Sequence, residues 1–180
     1  CDEKEQQAFV DIFGNETDKK ELSDKGLCRA NNVLFLYPRN DSAFELDAYT
    51  CYRLTFWHER ACSVHLIRIE SIEEAERALE DFGPGSIRHL VLGGRGSGTS
   101  LRWGEGPTGS LAVQQEQSEK LLKLAGEKMQ DGGTVFLDSC LAATLHAMEN
   151  LAHYVARVML SGMRESERAK GGTLTVTGSV

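Results

Sequence analysis

One hundred and eighty residues with 41% apolar content suit a single domain with one core and leave no room for two of ordinary size. A formal net charge of −7 argues against a nucleic-acid partner, and no apolar run is long enough to cross a bilayer. Cys1, Cys28, Cys51, Cys62 and Cys140 form neither a CxxC pair nor a Cys/His zinc pattern, and their odd number suits a disulfide framework poorly. Neither a metal nor a cofactor is expected.

Residues 1–32 read as an acidic arm with a short helix around Gln7–Phe13, and residues 33–180 as the domain. Within residues 1–24 eight acids face three lysines, a net of −5, so the rest of the chain is only −2. Such an arm is usually a solvated tail; if ordered, it suits docking to a larger, basic protein partner. The first residue is Cys rather than Met, which fits a processed precursor, organellar or exported after loss of a targeting segment.

The domain begins with Val33-Leu34-Phe35-Leu36-Tyr37, a continuous apolar run of the kind found in a strand buried on both faces. Pro38 and Asn40-Asp41 end it, and Ser42 with Glu45 makes a capping box for a helix to about Trp57. Cys62–Ile69 is the second strand. Ser71 with Glu74 repeats the capping box, and Ala75, Ala78, Leu79 and Phe82 follow at helical spacing until Gly83-Pro84-Gly85. Ile87–Leu92 is the third strand, running into the glycine-rich segment Gly93–Gly98, with a short strand at Ser100–Trp103 and a loop to Gly109. Ser118 is expected to cap a helix turning Leu121, Leu122, Ala125 and Met129 inward. Asp131-Gly132-Gly133 then turns into a strand at Thr134–Leu137. A long helix with Met148, Ala152, Val155 and Met159 on one stripe and a final strand at Thr173–Thr177 complete the chain. This alternation predicts an α/β fold, a mostly parallel sheet with helices on both faces in three layers.

In open parallel sheets, sites form beyond the carboxyl ends of the strands. Two strands end in unusual residues: one in Gly93-Gly94-Arg95-Gly96, the other in Asp138-Ser139-Cys140. If these strands are neighbours, Arg95 and Cys140 emerge side by side. The glycine run has neither a dinucleotide fingerprint nor a Walker lysine. Trp57 and Trp103 are candidates for interface anchors, although a core or rim place is commoner for tryptophan.

The two segments resemble the signature segments of the caspase-like cysteine peptidase clan, metacaspases and their bacterial relatives in particular. The resemblance spans roughly residues 33–180. In that clan one strand ends in His-Gly and the next in Asp-Ser-Cys or a variant. It implies Cys140 as nucleophile, Asp138 as the acid that receives a basic substrate side chain, and Gly94 and Gly96 near an oxyanion site. Arg95 stands at the position of the catalytic histidine. A thiolate needs an imidazole to protonate the leaving amine, and a guanidinium cannot exchange a proton near neutrality. His89 starts the same strand six residues back, about 20 Å away at ~3.3 Å per residue. His58, His65, His146 and His153 are no better placed.

The expectation is therefore a caspase-like domain without turnover, acting as a binding or structural subunit. Two other readings stand beside it: an active cysteine endopeptidase with a displaced base, and a thiol-based redox or ligand sensor. In the sensor reading, the helix dipole and a neighbouring guanidinium would favour the Cys140 thiolate. In the first reading, Arg95 paired with Asp138 would fill the old substrate pocket from within.

Overall fold

The computed structural model describes residues 32–40, 63–139, 150–165 and 173–178. Residues 1–31 of the expected arm, the helix expected at 42–57, Trp57, His58, Cys140, His146 and Met148 lie outside the described residues, as do the other four cysteines.

The main sheet has five parallel strands, β1 (Asn32–Pro38), β2 (Ser63–Ile69), β3 (Ile87–Gly93), β7 (Met129–Asp138) and β8 (Leu174–Gly178), in the order β2-β1-β3-β7-β8. Between β3 and β7 the chain makes a small antiparallel sheet of β4 (Arg95–Gly96), β5 (Ser100–Arg102) and β6 (Ser110–Ala112). Three helices are described: α1 (Ile72–Glu80), α2 (Glu116–Lys128) and α3 (Leu151–Glu165).

Side chains alternate across the sheet, so register decides the layers. Leu34, Leu90 and Val135 form one row, and Leu36, Leu92 and Leu137 the next. Both rows join a single core with Ile72, Ala75 and Leu79 of α1, Leu121, Leu122 and Ala125 of α2, and Val155, Val158 and Met159 of α3. On the opposite face Val33, Phe35, Tyr37 and Val91 are at most 3% exposed. Both faces are therefore closed to water, which makes the architecture a three-layer α/β fold. It also accounts for the unbroken apolar run in β1, an inner strand that cannot alternate polar residues.

The serine half of the capping box at α1 forms as expected, the Ser71 side chain accepting from the Glu74 N–H at 3.3 Å, while the Glu74 carboxylate accepts from the Glu70 N–H at 2.9 Å rather than from that of Ser71. The cap expected at Ser118 does not. α2 begins three residues earlier with Gln115 at its cap, and Ser118 is fully buried, accepting from the Ala112 N–H at 3.0 Å. Its hydroxyl is used to tie β6 to the helix, a tertiary demand that a local pattern cannot display. Met129 is buried as expected but belongs to β7, and the turn expected at Asp131-Gly132-Gly133 is an irregularity inside that strand, with Gly132 at φ +69°. α3 has its own start, where the Asn150 carboxamide accepts from the His153 N–H at 2.9 Å.

α2 and α3 touch through reciprocal glycines. A Cβ on Gly126 would lie 2.1 Å from the Met159 carbonyl oxygen, and one on Gly162 would lie 2.2 Å from that of Lys123. Gly126→Ala or Gly162→Ala should therefore destabilise the fold by about 1–3 kcal/mol, because backbone must give way despite alanine's better helix propensity. Gly83→Ala, with nothing within 4 Å of the new methyl, should be neutral or slightly stabilising. Urea unfolding of the three variants checks the contrast.

Candidate functional site

The carboxyl tips of β3 and β7 meet. Gly93 and Asp138 are register partners, and the Gly94 N–H donates to the Asp138 carbonyl at 3.1 Å. Register also places Tyr37 beside Gly93, one step beyond the Leu36–Leu92 pair, so Tyr37, Gly93 and Asp138 form one lateral row. Gly93 offers no side chain, and the Tyr37 ring crosses the space: a Cβ there would fall 2.3 Å from the ring. The phenol then donates to Asp138 Oδ2 at 2.6 Å. On the other side, Trp103 is buried and its indole N–H donates to the Gly93 carbonyl at 2.9 Å. Gly94 is equally confined, since a Cβ would stand 2.6 Å from the Arg102 carbonyl oxygen. The glycines at this tip serve close approach, as their pattern suggests, and Trp103 is a core residue rather than an exposed anchor.

Past Gly94 the glycine-rich segment opens a hairpin whose second strand, β5, is the short strand expected at Ser100–Trp103. β4 pairs with β5, with Arg95 opposite Arg102 and Gly96 opposite Leu101, and the turn at 97–100 is closed by Ser97 N–H to the Ser100 carbonyl at 2.8 Å. The turn docks on α3, where the Leu151 N–H donates to the Gly98 carbonyl at 2.8 Å. Arg95 is exposed and lines a cleft of about 800 Å³ with Asn40, Glu70, Glu74, Arg102 and Glu105. Asp138 is half-buried and does not line that cleft.

Of the residues singled out in the sequence, Gly94, Arg95, Gly96 and Asp138 are thus gathered at one edge of the sheet. Ser139 follows Asp138 and is buried, while Cys140 lies outside the described residues. The engagement of Asp138 by Tyr37 was not foreseen. Its only trace in sequence is that the run Val33–Tyr37 ends in an aromatic residue with a polar tip.

The described histidines sit elsewhere. His65, in the body of β2, lies 2.8 Å from Ser63 Oγ and packs edge-on against Phe82. His153 is exposed on α3. His89 shares a 2.6 Å hydrogen bond with Thr134 Oγ1, four residues before the Gly93 tip, or about 13 Å. Burial, followed by the charge of Arg88, holds the His89 imidazole below its ordinary range.

Tyr37→Phe should remove a hydrogen bond to a carboxylate and cost about 2 kcal/mol, measured by urea unfolding. Gly93→Ala should cost at least as much, since its methyl must also displace the ring. For His89 the folded pKa lies below the unfolded one, so the unfolded chain takes up the proton first. The stability of the neutral ring is full above the ordinary imidazole range near ~6.5, and is lost as pH falls from there through the folded value. The urea midpoint should accordingly drop between pH 7 and pH 5, and His89→Asn should flatten that slope; an equal slope in the variant would assign it to other groups.

No protein-family model and no curated protein matches this chain.

Proposed function

We propose that this chain is a caspase-like domain without peptidase turnover, serving as a binding or structural subunit of a larger protein assembly. The observation that carries the reading is the pairing of Gly93 with Asp138. It makes neighbours of the two segments on which the resemblance rests, so Gly94-Arg95-Gly96 leaves the sheet beside the two residues that precede Cys140. A guanidinium at the histidine position retains its protons at any physiological pH, so it cannot supply the acid that a leaving amine requires. His65 and His89 are held within their strands, away from that edge.

The Tyr37–Asp138 hydrogen bond supports the same reading from a second side. The resemblance reserves this acid for a basic substrate side chain. Here one carboxylate oxygen already accepts from a buried phenol of the same chain. A carboxylate tied into the fold is less open to an incoming cation, and one internal group that engages it is Tyr37 of β1. The acidic arm, on this reading, is the segment by which the domain docks on a protein partner.

The test compares wild-type protein with Cys140→Ala on fluorogenic peptides ending in Arg or Lys, together with a thiol-reactive probe of the same sequence. The two proteins should be indistinguishable, and the probe should leave Cys140 unlabelled. Cleavage by wild type that disappears in Cys140→Ala would overturn the proposal in favour of an active endopeptidase. Labelling without cleavage would favour a reactive-thiol sensor. Arg95→His supplies the converse: if only the proton carrier is missing, Cys140-dependent cleavage should rise by about 10²-fold or more.

A further inference from the structure

The cleft that Arg95 lines does not lie at the β3–β7 tips but one strand further along the sheet. Its walls come from the residues following β1 (Asn40), β2 (Glu70, Ser71, Glu74) and β3 (Arg95, Arg102, Glu105). The chain runs outward from β1 to β2 and then returns across β1 to β3, so the direction of the connections reverses between β1 and β3. That reversal leaves a crevice above the carboxyl ends of the strands, the place where open α/β sheets take their ligands.

The charges in this crevice are segregated. On one wall Arg95 and Arg102 are direct cross-strand partners, which puts two guanidiniums on the same side of a two-stranded ribbon. Arg102 Nε donates to the Gly104 carbonyl at 2.9 Å, and among the described residues Arg102 has no ion-pair partner. The other wall carries Glu70 and Glu74. Arg39 reaches both, at 3.7 and 2.9 Å, and Asn40 donates to Glu70, so these carboxylates are held in place at the wall. The walls meet where Gly104 lies against the Glu70 backbone, a contact so close that a Cβ would fall 2.2 Å from the carbonyl oxygen, and Glu105 follows immediately. Counting Arg39 behind the acids, three cations and three anions balance. A cleft of no net charge but separated signs suits a dipolar ligand better than a simple anion.

We propose that this cleft binds a small zwitterion of the amino-acid class, its carboxylate on the Arg95–Arg102 wall and its ammonium toward Glu70 and Glu105. A planar guanidinium matches a carboxylate in two parallel hydrogen bonds, and an ammonium suits acceptors fixed in one place. The proposal stands on the cleft itself and does not require the caspase-like reading, whose test uses Cys140 and peptide cleavage.

The experiment is isothermal titration of the full chain with glycine and with glycylglycine, against acetate and methylammonium as single-charge controls. At least one zwitterion should bind saturably and about tenfold more tightly than either control; the two probes distinguish a free amino acid from a peptide. Arg102→Met should weaken that binding by about tenfold, Arg102→Lys by less, and Glu105→Gln should weaken the zwitterion while leaving acetate unchanged. Arg77→Met, outside the cleft, should bind as wild type does. Arg102 and Glu105 are both exposed, and a melting curve for each variant checks the fold. Acetate binding as tightly as the zwitterions, no saturation up to about 20 mM, or unchanged affinity in Arg102→Met would each overturn the proposal.

Discussion

The row Tyr37–Gly93–Asp138 is the constraint on which the upper edge of this domain depends. Strands in a sheet stand about 4.8 Å apart, so a side chain of β1 reaches one on β7 only by passing over β3. Tyrosine is long enough and glycine leaves the way clear, and the phenol arrives at a carboxylate instead of being buried without a partner. Trp103 closes the same glycine from the other side through its carbonyl oxygen. Three strands are thereby locked at their carboxyl ends, and the chain leaving Gly94 has little choice of direction. The hairpin carrying Arg95 and Arg102 follows from that exit, and its turn is fixed in addition by α3 through Gly98 and Leu151.

Much of this was legible in the residues, and the reasons it was legible are physical. A run such as Val33–Tyr37 has no polar alternation because β1 has neighbours on both edges and cover on both faces. The Ser71–Glu74 spacing announces α1 because that cap is a purely local bond. What stayed hidden depends on partners distant in sequence. Ser118 carries the chemistry of a cap yet serves as the acceptor for Ala112, and nothing in its neighbourhood distinguishes the two uses. Tyr37 and Asp138 are 101 residues apart. The glycines at 93 and 94 advertise close approach but not what approaches. Sequence pattern marks Arg95 at a strand tip and a short strand at Ser100–Trp103, yet it does not say that this strand folds back on Arg95 with a second arginine directly opposite.

The tips of β3 and β7 and the cleft that Arg95 lines are different places on one edge of the sheet. The β3–β7 junction, where the resemblance locates catalysis, is bound up with the structural core: Gly93, Trp103 and Tyr37 are buried, and any change there is paid in stability. The crevice is lined by the exposed Arg95, Arg102 and Glu105, and also by the half-buried Glu70, Ser71 and Glu74 and the buried Trp103. Trp103 joins the two places, since it lines the crevice and donates to the Gly93 carbonyl at the junction.

Arg95 belongs to both. Its backbone follows the locked tip by one residue, while its side chain contributes to the cleft. An imidazole at this position would change charge within the physiological range and could hand on a proton; a guanidinium does neither, but offers a permanent cation and a planar fork of donors. The sign of the charge that Arg95 brings to the cleft wall therefore does not vary with pH. The two consequences come from one side chain, and only the second is positively useful. Directly opposite Arg102 on an antiparallel ladder, such a charge opposes pairing, and the carboxylates of Glu70 and Glu74 stand across the cleft to offset it.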